Sequence, residues 1–169
     1  MRGMTPLHTR TLALLAATGA GIALAVAWLA QAWIGLAPCE LCLVERWPYR
    51  IVIALSLLAM VLPHGIARTL LWIAVLVVLA DVAIAVVHVG VEQHAWPSPL
   101  PGCTAPAFQG GSVAEMLKSM PMRPAKPCDS PSFLIPGLPL SMAVMNLVFG
   151  VAFAALLSAG LCYSRRESV

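Results

Sequence analysis

Apolar residues in this chain fall into four long runs, separated by short polar or proline-containing breaks and one long polar segment. The first run extends from Thr11 to Leu36 without a charged residue. The second begins between Cys42 and Arg50 and ends before Pro63. The third runs from Thr69 to Val91 and the fourth from about Ser141 to Leu161. A helix crossing a bilayer needs about 20 mostly apolar residues, and none of the runs alternates with the period of two of a barrel strand. The expected fold is an all-α membrane protein, an antiparallel bundle of four transmembrane helices over 11–36, 44–62, 69–91 and 141–161. The whole chain, 1–169, forms one domain with one short outer loop and one long outer loop, 92–140.

The third run contains Asp81 and His88. Its Leu, Ile and Val residues favour insertion by at most roughly 4–8 kcal/mol, against about 2.5–3.5 kcal/mol for a central aspartate. The run is expected to insert with little margin. Asp81, His88 and Glu92 are spaced seven and four residues apart and so share a helix face. An acid buried below a histidine is a candidate proton source, and an inert hydrogen-bonded aspartate is the alternative.

Composition agrees with the pattern: 60% of residues are hydrophobic and 10% charged, where a soluble domain has about 25% charged. Ten Lys+Arg against seven Asp+Glu, scattered along the chain, exclude a nucleic-acid footprint. The basic residues bear on orientation instead. Arg2, Arg10, Arg68, Arg165 and Arg166 fall on the side of the termini. Arg46, Arg50, Lys118, Arg123 and Lys126 fall on the other side, so the count ties. The first helix usually decides, and its basic residues precede it, which places both termini in the cytoplasm. Ala30-Gln31-Ala32 resembles a signal-peptide cleavage site, but the run before it is longer than the about 7–15 residues of a signal-peptide core, so the span is expected to be retained.

The outer segment 92–140 is rich in proline, which excludes a strand or a long helix there. Within it Ser112-Val113-Ala114-Glu115 has capping-box spacing. Val113, Met116, Leu117 and Met120 then fall on one face, as in a short helix lying on the membrane or packed on the spans.

Five cysteines complete the candidate chemistry: Cys39 and Cys42 in a C-x-x-C, Cys103 and Cys128 in the outer loop, and Cys162 at the inner end of the fourth run. Four of them face the side where disulfides persist and one faces the side where they do not. Two structural disulfides, a zinc site of four thiolates, and a redox relay between two pairs are all open. A C-x-x-C bridge closes a tiny loop and stabilises little, yet it is a common redox device. A helix starting near Cys42 would place Arg46 and Arg50 on its face and lower its thiol pKa, with Pro48 as a complication. The chain has no dinucleotide or haem motif, so a lipid-soluble acceptor fits best. Trp33, Trp47, Tyr49 and Trp96 mark the membrane face, mostly as an interfacial belt.

Pro38-Cys39-Glu40-Leu41-Cys42-Leu43-Val44-Glu45-Arg46, Trp96-Pro97-Ser98-Pro99 before Cys103, and Cys128 later in the same loop resemble the disulfide bond formation protein B (DsbB) family over nearly the whole chain. The resemblance implies a multi-pass protein of the bacterial inner membrane with both outer loops in the periplasm. Such a protein reoxidises a DsbA-like thioredoxin-fold oxidase and passes electrons to membrane quinone, either ubiquinone or menaquinone. It implies that Cys39, Cys42, Cys103 and Cys128 are catalytic. The partner would attack Cys103 of a Cys103–Cys128 disulfide, Cys128 would attack Cys39, and Cys42 would be the thiolate facing quinone. It also implies Arg46 and a histidine at the quinone site, for which His88 is favoured over His94. No metal is expected. Alternatives are a specialised paralogue (DsbI-like) with a dedicated partner and a non-enzymatic four-span scaffold with structural disulfides. A vitamin-K-epoxide-reductase-like enzyme is disfavoured because its C-x-x-C comes late in the chain. His8, His64 and Cys162 are expected to have only surface or packing roles.

Overall fold

The computed structural model describes residues 6–100, 103, 126–135 and 137–166. The Ser112–Glu115 capping box and its helix, and the charges at Arg2, Lys118 and Arg123, lie outside the described residues. The described chain is helical: α1 Pro6–Ala32, α2 Glu40–Val44, α3 Arg46–Val61, α4 His64–Glu92 and α5 Met142–Arg166. Among the described residues there is no strand, only an isolated antiparallel bridge between Phe133 and Ser141.

Three helices are long and apolar enough to cross a bilayer, over His8–Ala32, His64–Glu92 and Met142–Tyr163. The chain is accordingly a multi-pass membrane protein. The second run differs from expectation. Helix α3 has 16 residues, a rise of about 24 Å at 1.5 Å per residue, where the hydrocarbon core is about 30 Å. Pro48 accounts for the break before it. Proline has no N–H to give to Val44, and its ring collides with that carbonyl. A helix begun at Glu40 therefore stops at Val44 and restarts at Arg46, with Glu45 joining the two (φ −60°, ψ −18°).

The other boundaries shift for local reasons. Helix α1 ends at Ala32, four residues before the apolar run does, and Gly35 at φ +75° turns the chain so that the Leu36 N–H reaches the Ala30 carbonyl. Helix α4 starts five residues earlier than the apolar run. Leu62 is extended before Pro63, and the Ala67 N–H donates to the Pro63 carbonyl at 3.0 Å, so polar His64 and Arg68 are already helical. Helix α4 closes with the 6→1 and 5→2 bonds of a Schellman motif, Ala95 N–H to Gly90 O and His94 N–H to Val91 O. His94 takes the left-handed position at φ 57°, which assigns this histidine to chain reversal.

Helix α1 packs chiefly on α3, α3 on α4, and α4 on α5. The contacts at the two ends show that neighbours run antiparallel. At one end Thr9 of α1 meets His64 Nδ1 of α4 at 2.7 Å, and Leu12 of α1 lies against Gly160 of α5. At the other end Arg46 of α3 meets Gln31 of α1, and Ser141, just before α5, donates to Glu92 of α4. Small residues line the seams. Ala13, Ala16 and Ala20 form a buried stripe on α1 beside Leu71, Val78 and Leu161, as helix packing in lipid requires. Trp96 folds back over α4, its indole N–H on the Val87 carbonyl. A Cβ on Gly90 would stand 1.9 Å from the indole ring.

Candidate active site

The site is assembled at the end of the bundle that holds the C-terminus of α1, the N-terminus of α3 and the C-terminus of α4. Cys39 is the N-cap of α2, and its sulfur accepts the Cys42 N–H at 3.2 Å. The two sulfurs are unbonded and 2.7 Å apart. From the other side α4 contributes His88, which is 2% exposed. Its Nδ1 lies 2.8 Å from Glu45 Oε1 and its Nε2 lies 3.4 Å from the Cys39 sulfur. The carboxylate holds the Nδ1 proton, so in the neutral ring Nε2 turns its lone pair to the sulfur. The break at Glu45 makes this possible, because it turns that carboxylate inward (7% exposed) between the cysteine helix and α4.

These contacts reverse one expectation. The free N–H groups of the helix start point at Cys39, because the helix begins at Glu40 rather than at Cys42. The Cys42 thiol donates toward Cys39 and holds the Cys39 thiol below its ordinary value, against burial, which raises it. The same hydrogen bond, together with burial, pushes the Cys42 thiol up. The arginines do not share a helix face with Cys42, since the helix is interrupted. Arg46 donates across to Gln31 Oε1 at 2.9 Å and the Ala27 carbonyl at 3.4 Å, and Arg50 lies over the Trp47 ring at 5.1 Å. In reduced protein the ultraviolet thiolate absorbance is expected to titrate at lower pH than an ordinary thiol, and Cys42→Ala is expected to move that titration upward by removing the donor. A profile unchanged by Cys42→Ala refutes the assignment.

Cys103 and Cys128 are disulfide-bonded, with Cα atoms 4.8 Å apart and each residue 1% exposed. They pack with Cys39, Leu41 and Val91 in one buried cluster, with Cys42 at its border. A disulfide provides no thiolate, so the four-thiolate zinc site does not form in this structure. Cys39, Cys42 and His88 bring three ligand atoms within 4.8 Å of one another and are the set a soft cation would meet.

Beside the cysteines lies a cleft of about 240 Å³ between α1 and α5, floored by α3. Its walls are apolar, including Ile22, Val26 and Phe149, and its polar lining comprises Cys42, Glu45, Arg46, Gln31, Tyr49 and Asn146, with Ser132. Cys42 lines the cleft and Cys39 does not; Cys39 is buried in one cluster with the loop disulfide. Arg46 is on the cleft wall. His88 lies behind the cysteine pair and is not among the lining residues. Ile22 and Val26 are exposed on the flank of the bundle, which opens the cleft sideways. Of the aromatics expected at the membrane face, Trp33, Trp47 and Trp96 are exposed, but Tyr49 is buried at 4%.

Asp81, His88 and Glu92 are all buried, yet each has its own partner: Asn146, Glu45 and Ser141 in turn. Sequence reasoning missed Glu45, Asn146 and Gln31 as site residues. Glu45 follows Cys42 by three positions, but nothing local ties it to a histidine 43 residues away.

Comparison with known proteins is consistent with this geometry. The family model described as disulfide bond formation protein DsbB matches residues 9–160. An uncharacterized protein, RP370, of Rickettsia prowazekii (strain Madrid E) is 28% identical over 145 residues, covering 85% of this chain and 83% of that protein. No solved structure matches.

Proposed function

The chain belongs to the disulfide bond formation protein DsbB family, and from that premise we propose that it is a disulfide-generating oxidoreductase of the bacterial inner membrane. It would reoxidise a periplasmic DsbA-like dithiol oxidase and deliver the electrons to membrane quinone. The proposed topology has four spans, with α3 as the second, both termini cytoplasmic and the cysteines at the periplasmic face. One observation carries the reading: the two cysteines of the C-x-x-C have different surroundings, Cys39 buried in one cluster with the Cys103–Cys128 disulfide and Cys42 lining the apolar cleft.

The partner's thiolate attacks Cys103 and displaces Cys128, whose thiolate attacks Cys39 of an oxidised Cys39–Cys42 pair and displaces Cys42. The partner's second thiol then closes the partner's disulfide and releases Cys103, which attacks Cys128 to re-form the loop disulfide and release Cys39. Cys128 and Cys39 lie in one packed cluster, so the exchange needs little movement. Reoxidation of the Cys39–Cys42 dithiol releases two electrons and two protons. His88 Nε2 is the base in reach of Cys39, and Glu45 stabilises the imidazolium. The cleft fits a quinone ring in its apolar walls, in Arg46 as a donor to an oxygen that gains charge, and in Cys42 at its edge. A quinone bound there supplies an oxidant that takes up two electrons and two protons.

Anaerobic addition of a short-chain quinone to fully reduced protein tests this. Thiol labelling is expected to show the loss of all four of these thiols, with one quinone consumed per disulfide formed. Thiols that persist while quinone is unconsumed overturn the reading and favour a scaffold with structural disulfides.

A further inference from the structure

Asp81 has no part in the chemistry above, yet it is a fully buried carboxyl in the apolar α4. Its Oδ2 accepts a hydrogen bond from Asn146 Nδ2 at 3.4 Å, and its Oδ1 has no hydrogen-bond partner among the described residues. The Asn146 Oδ1 in turn accepts the Tyr49 hydroxyl at 2.7 Å. Three helices thus contribute one residue each to a short polar chain. Two of its members, Tyr49 and Asn146, line the cleft that also contains Cys42 and Arg46. Gly150 leaves room for them: a Cβ there would lie 3.7 Å from Asp81 Oδ2 and 3.9 Å from the Tyr49 oxygen.

We propose that Asn146 forms a second polar contact in the cleft, its amide N–H donating to the ring oxygen of a quinone remote from the cysteine pair, and that Tyr49 and Asp81 are the residues that position that amide. The proposal rests on the quinone reading above. An amide has two N–H donors and one oxygen. A carboxyl oxygen takes one N–H, the tyrosine takes the oxygen, and the second N–H is left for whatever enters the cleft. The two contacts set the orientation of the amide, its N–H toward the Asp81 oxygen and its oxygen toward the Tyr49 hydroxyl. Arg46 and Tyr49 are three residues apart on α3, so they share a face about 4.5 Å apart along the axis. That separation suits the two oxygens at opposite ends of one ring, one near Arg46 and one a turn deeper. The contact is a binding contact: no bond forms or breaks at Asp81, Asn146 or Tyr49.

The test uses the full chain in detergent with a short-chain ubiquinone analogue and two readouts. One is the affinity for the quinone, from quenching of tryptophan fluorescence in oxidised protein. The other is KM and kcat for quinone reduction. Asn146→Leu is expected to weaken affinity and raise KM about tenfold, which corresponds to about 1.4 kcal/mol, with kcat within about twofold of the parent protein. Asp81→Asn is expected to lose most of the same affinity, because its own amide allows Asn146 to turn over, whereas Asp81→Glu keeps part of it. Should Asn146→Leu fail to fold, Asp81→Asn and Tyr49→Phe decide. Affinity unchanged in the folded variants overturns the proposal. A parent protein that binds quinone through Asn146 yet never reduces it overturns the functional reading and leaves this subsite standing.

Discussion

Replacing Cys39 with alanine is expected to stop electron transfer between the two cysteine pairs, lowering quinone-dependent oxidation of a partner dithiol by more than about 10³-fold. Cys39 is buried in one cluster with the Cys103–Cys128 disulfide, while Cys42 is at the border of that cluster. A trapping variant tests the route. With Cys103→Ala the unpaired Cys128 thiolate can attack Cys39 of the oxidised pair and displace Cys42, but no Cys103 is left to release it, so a Cys39–Cys128 linkage should accumulate. With Cys39→Ala no such linkage forms, and the loop pair simply stays reduced. Peptide mapping under non-reducing conditions distinguishes the two. A Cys39→Ala protein that still couples its loop thiols to quinone would show that the route through Cys39 is wrong.

The second large effect is expected at His88 and Glu45. His88→Ala removes the only base within reach of Cys39 among the described residues, and a general base contributes about 10²–10⁴-fold. The expected loss in turnover is about 10²-fold. Without an imidazole to take the thiol proton, hydroxide must take it, so the residual rate should climb with pH where the parent rate is flat. Glu45→Gln keeps the size of the side chain but removes the charge opposite the imidazolium. It should cost about tenfold and show a milder form of the same pH dependence. Rates of both variants across pH 6–9, with thermal unfolding measured alongside, separate this role from mere packing. A His88→Ala enzyme with a parent-like pH profile would remove the histidine from the proton path.

The membrane class and the apolar runs were legible in the sequence, because length and hydropathy are local properties, whereas the Cys103–Cys128 disulfide was implied only by the family resemblance and joins residues 25 positions apart. What escaped was set by particular residues acting over distance or against the pattern. Pro48 was read as a complication for a helix starting at Cys42. In the structure it ends one helix and starts another, and that break turns Glu45 inward and reassigns the favoured thiolate to Cys39. His88 was favoured over His94 from its spacing to Asp81 and Glu92, and the backbone places His94 at the left-handed end of α4. Asp81 was recognised as a buried acid, but its tie to Asn146 spans 65 positions and no periodicity encodes it. Tyr49 read as an interfacial aromatic because the sequence shows its place near the start of a span, not which way it faces.

The seam between α1 and α5 carries a further consequence. Its flank, with Ile22 and Val26 exposed beside the cleft, faces the same medium as the outer surfaces of the spans. A ligand entering there arrives from the hydrocarbon rather than from bulk water. Its occupancy is then governed by its mole fraction among the lipids. Diluting the protein into more bilayer at fixed total quinone should slow the reaction, whereas diluting the same vesicles with buffer should leave it unchanged.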